Sequence, residues 1–137
     1  MPVSSPLIAP MAAHVALAAF LYALLTVARA PKVWGIGRAA DGSNPWAGVE
    51  PRISANLSNQ FEWPLFFHVA CVLLIVLGQG ASSVAVAWAW IFIAGRLLHS
   101  GVQVLTTNVR LRGLVFMLNF VAVLALWVLV LRVAGSA

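Results

Sequence analysis

Four long apolar stretches run through the chain, at about residues 7–27, 56–77, 83–106 and 114–133, separated by shorter polar connections. Each holds roughly 20 residues or more, and a helix of that length, rising about 1.5 Å per residue, crosses the ~30 Å hydrocarbon core of a bilayer. The pattern predicts an all-α fold: an integral membrane four-helix bundle forming a single domain over residues 1–137. Pro31 is expected to stop the first helix, because proline lacks a backbone donor, with Arg29 and Lys32 gathered at the negative end of the helix dipole. Residues 30–53 read as a loop rich in Gly, Pro, Ser and Asn, in which Trp34 and Trp46 suit the headgroup layer. Gly78 and Gly80 mark a tight turn between the second and third spans.

Two of the stretches carry polar residues in register. Asn56, Asn59 and Glu62 lead into the second span, and Arg96, His99 and Gln103 run along the third. Steps of three or four residues put each set on one helical face. A charge inside the hydrocarbon costs about 2.5–3.5 kcal/mol on the most lenient insertion scale, so such residues face a protein interior and mark a site. Up-and-down passage of the chain brings the start of the second span and the end of the third to one side, with Arg112 opening the fourth at that level. Arg96 then lies ~6 Å of helix rise deeper than Glu62, within reach of a snorkelling side chain. A buried Glu62–Arg96 ion pair, completed by His99 or Asn59, is therefore expected. Pro64, just beyond Glu62, frees backbone carbonyls beside the cluster.

Composition removes the soluble classes. Hydrophobic residues make up 63% of the 137 and charged ones only 8%, against about 25% charged in a soluble domain; mean hydropathy is +1.00. A net charge of +5 would suggest nucleic acid as the partner of a soluble protein. Here most of the cations sit in two loops, with Arg29, Lys32, Arg38 and Arg52 in the first and Arg110 and Arg112 in the third, while only Arg132 lies at the far end. That bias places both loops in the cytoplasm and both termini on the other side, and no nucleic-acid partner is expected. Cys71 stands alone in an apolar run, which offers neither a disulfide framework nor a metal-ligand cluster. No signal peptide is expected: the N-terminus lacks a basic region, and its apolar stretch is too long.

The run Arg52-Ile-Ser-Ala-Asn56-Leu-Ser-Asn59-Gln-Phe-Glu62-Trp-Pro64 resembles the second-helix motif of the MAPEG superfamily, the membrane-associated proteins of eicosanoid and glutathione metabolism. Arg96-Leu-Leu-His99-Ser100, followed by Thr107-Asn108-Val109 and Arg112, is similar to that family's third helix and the start of its fourth. The form Asn-Gln-Phe-Glu-x-Pro looks closest to a bacterial branch. The resemblance implies a homotrimer of four-helix protomers in the bacterial inner membrane, termini periplasmic, among membrane lipids. It further implies glutathione as co-substrate, bound between subunits near the cytoplasmic face, and a transferase or peroxidase acting on a lipophilic electrophile. By position in the motif, Arg112 matches the thiolate-stabilising arginine, while Arg52, Asn59, Glu62, Arg96 and His99 match residues that line or support the glutathione site. Some positions depart from the family pattern. Gly113 replaces a hydroxyl residue, Gln103 and Phe116 stand where active eukaryotic members have tyrosine, and Ala55-Asn56-Leu57 lacks the usual arginine and Ala-His pair.

Other functions use parts of the same pattern. A non-catalytic scaffold that binds lipid or a larger membrane complex would keep the fold without the lost cations and phenols. A small multidrug transporter also has four spans, but needs a carboxylate near the membrane centre, and the first span has none. His68 and His99 at similar depth would suit a bis-His haem, against which Arg96 one turn from His99 counts. His14 and His68 are expected to be satisfied core residues. Trp88, Trp90 and Trp127 are expected to be belt or packing residues, and Gly95 and Gly101 points of close helix contact.

Overall fold

The computed structural model of the chain describes residues 4–136. They form helices α1 (Ile8–Val33), α2 (Glu50–Asn59), α3 (Trp63–Val76), α4 (Ser83–Leu105) and α5 (Val109–Gly135), with no strand among the described residues. Four segments are long and apolar enough to cross a bilayer: α1, α2 with α3 taken together, α4 and α5. The fold is therefore the all-α membrane bundle that the hydropathy pattern predicts.

Two boundaries differ from expectation, each at a proline. Pro31 lies inside the last turn of α1, and the helix continues to Val33. The loop takes up the carbonyls at this end: Arg38 Nε donates to the Pro31 oxygen at 2.9 Å and Asn44 Nδ2 to the Ala28 oxygen at 3.1 Å. The chain then turns at Gly35, whose φ of +71° suits glycine. The second span starts earlier than expected, at Glu50, and is broken between Asn59 and Trp63. Pro64 sits in the first turn of α3, where its missing N–H is harmless but α2 cannot run through. Glu62, the residue before α3, leaves helical geometry with φ of −91° and ψ of −102°.

Polar groups fasten the ends. Arg29 Nε donates to Glu50 Oε1 at 2.7 Å, joining the end of α1 to the start of α2. At the opposite end Ser5 Oγ donates to the Gly80 oxygen at 2.9 Å. Ser82 caps α4 and Asn108 caps α5, each accepting from a backbone N–H of the first turn. In the exposed first loop, the hydroxyl and N–H of Ser43 hold the Asp41 carboxyl below the usual carboxylate range.

The α4 helix packs against all four others. One apolar cluster gathers Phe67, Cys71, Phe92, Val123 and Leu126 from α3, α4 and α5, with the Phe67 and Phe92 rings stacked at 4.1 Å. A second gathers Leu21, Leu25, Ile53 and Leu57 from α1 and α2. Gly95 permits a close approach of α4 to α5, because a Cβ there would collide with Asn119 Oδ1 and crowd Leu118 Cδ2 at 3.3 Å. Gly101 plays no such part: nothing lies within 4 Å of its would-be Cβ. Val15, Phe20, Leu65, Leu114 and Leu131 are exposed, as suits a surface bathed in lipid tails.

Candidate functional site

Where the two apolar clusters meet, at the break between α2 and α3, the interior is polar. Asn56, Gln60, Arg96, His99, Ser100 and Gln103 are all buried, Arg96 to 1% exposure. Gln60 is the hub. Arg96 has only donors, so the Gln60 carbonyl oxygen must face it, and it accepts from Arg96 Nε at 3.2 Å. The same oxygen lies 3.0 Å from His14 Nε2. The Gln60 amino group donates to the Asn56 oxygen and to Asn56 Oδ1, both at 3.2 Å, and to Ser100 Oγ at 3.3 Å. Gln103 Oε1 accepts from Asn56 Nδ2 at 2.9 Å and from Asn59 Nδ2 at 3.1 Å. Three helices, α1, α2 and α4, are cross-linked by amide, imidazole and guanidinium hydrogen bonds in a buried interior, where each unmade bond would be expensive.

The expected Glu62–Arg96 ion pair does not form. Arg29–Glu50 is the salt bridge among the described residues, while Arg96 Nη2 donates to the Asn59 backbone oxygen at 3.4 Å. Helical geometry and the break each explain part of this. Even on a continuous α2, Glu62 would stand nine residues, about 180°, from Ile53 and so off the buried Ile53–Asn56–Leu57–Gln60 face. The break adds a free acceptor: a continuous helix would have used the Asn59 carbonyl for its own ladder, and interrupting it leaves that carbonyl to the guanidinium.

Of the six residues singled out by sequence, four line one cavity. Asn59, Glu62, Arg96 and His99, with Trp63 and Phe116, enclose about 100 Å³ between the α2–α3 break, α4 and α5. His99 is 3% exposed and its Nδ1 has no partner among the described residues. Its ring meets Phe116 edge-on at 6.0 Å. Arg52, in the first half of α2, and Arg112, in the first turn of α5, are half-buried and do not line this cavity. Arg52 Nε is enclosed without a partner among the described residues. His68 does not stand opposite His99. It pairs with His14, whose Nδ1 lies 2.9 Å from His68 Nε2, which leaves no bis-His arrangement with His99.

Sequence spacing passed over Gln60 and the His14–His68 pair. The buried positions of α2 are Ile53, Asn56 and Leu57, with Gln60 directly following. That i, i+3, i+4, i+7 spacing was readable, but the ladder through Asn59 and Glu62 runs one residue to its side. Nothing local marks His14, whose partners are 46 and 54 residues away.

A bundle of four bilayer-length spans, enclosing a small cavity lined by the Glu62 carboxylate, the Arg96 guanidinium and the His99 imidazole, is the fold of an integral membrane protein. The model of the MAPEG family matches residues 7–132, nearly the whole chain, and the protein belongs to that family. No curated protein and no solved structure matches it.

Proposed function

We propose that the protein is a glutathione- or thiol-dependent transferase or peroxidase acting on lipophilic electrophiles in a bacterial inner membrane, its termini periplasmic. The observation that carries this reading is the shared cavity, in which Glu62, Arg96 and the unpaired His99 Nδ1 converge. These groups suit a zwitterionic peptide: a carboxylate for its amine, and donors for its carboxylates. Volume decides where such a ligand goes. Small-molecule sites occupy about 300–1,000 Å³, and about 100 Å³ is too little for a tripeptide. The reading therefore requires a homotrimer in which a neighbouring copy extends the cavity, with Arg52 and Arg112 at its edge. There Arg112 would stabilise the thiolate, since a nearby cation favours the charged form of the thiol and raises its nucleophilicity at neutral pH.

The test is isothermal titration of glutathione into the detergent-purified protein, alongside Arg112→Ala. Saturable binding that weakens in the variant supports the assignment and is followed by conjugation assays with lipophilic electrophiles. A protein that runs as a trimer yet binds nothing at millimolar glutathione refutes it. A second reading, the non-catalytic scaffold, is favoured by one observation: two Arg96 nitrogens are already engaged inside the protomer, by Gln60 and Asn59. On that reading Arg112→Ala leaves the cellular role intact.

A further inference from the structure

The polar interior has a second outlet, away from the cavity beside His99. A groove of about 340 Å³ lies between α1 and α3, with His14, Gln60 and His68 among the residues that form it. Val15, Tyr22, Phe61 and Leu65 also line it and are all more than half exposed, so the groove opens sideways onto lipid.

Hydrogen-bond polarity can be followed outward from Arg96, atom by atom. The guanidinium only donates, so Gln60 Oε1 accepts, and the nearby His14 Nε2 must carry a proton to donate to that oxygen. A neutral His14 then has a bare Nδ1, which accepts from His68 Nε2. His68, neutral in turn, is left with an unprotonated Nδ1. That nitrogen has no partner among the described residues and is not enclosed by protein, and His68 is half-buried in the groove. This acceptor, its polarity set by a buried arginine three hydrogen bonds away, therefore faces a mainly apolar groove whose rim also carries the Tyr22 hydroxyl.

We infer that this groove binds a lipophilic alcohol or phenol whose hydroxyl donates to His68 Nδ1. Depth narrows the class. His68 lies about 12 Å by helix rise from Val76 at the end of α3, near the middle of a ~30 Å core. Phospholipid headgroups stay at the interface, and their acyl chains carry no donor. The ligand must bring its hydroxyl into the hydrocarbon on an apolar body, as a long-chain phenol, quinol or sterol-like alcohol does. Ketones, esters and ethers of the same shape present an acceptor to the His68 acceptor and lose that hydrogen bond. The inference is independent of whether glutathione binds.

The experiment uses the full-length protein, labelled with ¹⁵N-histidine, in lipid nanodiscs. The chain has three histidines, so the ring nitrogens are separable. 4-Nonylphenol and its methyl ether, 4-nonylanisole, are titrated as mole fractions of the lipid. The phenol is expected to move the His68 Nδ1 resonance saturably, and the ether to bind about tenfold more weakly, the worth of one hydrogen bond. Ala19→Phe, which fills the groove from a position whose i−4 neighbour is Val15 rather than His14, is expected to abolish the shift while the His14–His68 resonances persist. Equal affinity for phenol and ether, no saturable shift in the native protein, or an undiminished shift in Ala19→Phe would each overturn the inference.

Discussion

Replacing Gln60 by methionine tests which group holds Arg96 in the bilayer. Methionine keeps the length and volume of the side chain but removes its oxygen, leaving Arg96 Nε and His14 Nε2 without their acceptor. Arg96 is 1% exposed, so water cannot replace the bond. A hydrogen bond to a charged group contributes about 1.5–3 kcal/mol and a neutral one about 1. Measured polar contacts in bilayers average about 0.6 kcal/mol, because the dispersed helices also find partners. Together these give ~2 kcal/mol for Gln60→Met. Glu62→Ala should lose under ~0.5 kcal/mol, since the exposed carboxylate makes no ion pair. The double variant Gln60→Met/Arg96→Met should regain about 1 kcal/mol over Gln60→Met, because it removes the stranded charge as well as its partner. Reversible unfolding in mixed micelles against sodium dodecyl sulfate, followed by helical circular dichroism, measures all three. The reasoning fails if Glu62→Ala destabilises as much as Gln60→Met, or if the double variant is simply additive.

Gly95→Ala should destabilise by about 1–3 kcal/mol in the same assay, because its Cβ would collide with the side chain of the fully buried Asn119. Gly101→Ala, with nothing within 4 Å, should instead be neutral or stabilise by up to ~1 kcal/mol from helix propensity; equal losses at the two glycines would show that the α4–α5 contact is misjudged. Asn108→Ala removes the cap of α5, in which Asn108 Oδ1 accepts from the Leu111 N–H at 3.0 Å, and should lose about 1 kcal/mol. Hydrogen exchange confined to the first turn of α5 would locate that loss. Arg112→Ala should leave the unfolding transition within ~0.5 kcal/mol of native, since this half-buried cation at a helix start makes no side-chain hydrogen bond or ion pair among the described residues. On the thiol-transferase reading it loses turnover nonetheless, and unchanged turnover would remove Arg112 from the chemistry.

Hydropathy alone determined that this chain is a membrane bundle. Apolar runs of bilayer length admit few other structures, because every backbone group must bond within its own segment. The face of α4 was legible for the same kind of reason: it is one unbroken helix, so the spacing of Arg96, His99 and Gln103 carries through, and all three are buried. On the second span the same logic picked the wrong stripe. Steps of three drift by about 60° each, so the Asn56–Asn59–Glu62 ladder leaves the buried face, whereas Gln60 stays on it. Pro64 then broke the helix and freed the Asn59 carbonyl, so Arg96 took that carbonyl and the Gln60 amide instead. The Gln60–His14–His68 chain could be settled only by tertiary structure. Its members come from α1, α3 and the break before it, and pairing across such separations depends on which helices pack together, which no local pattern encodes.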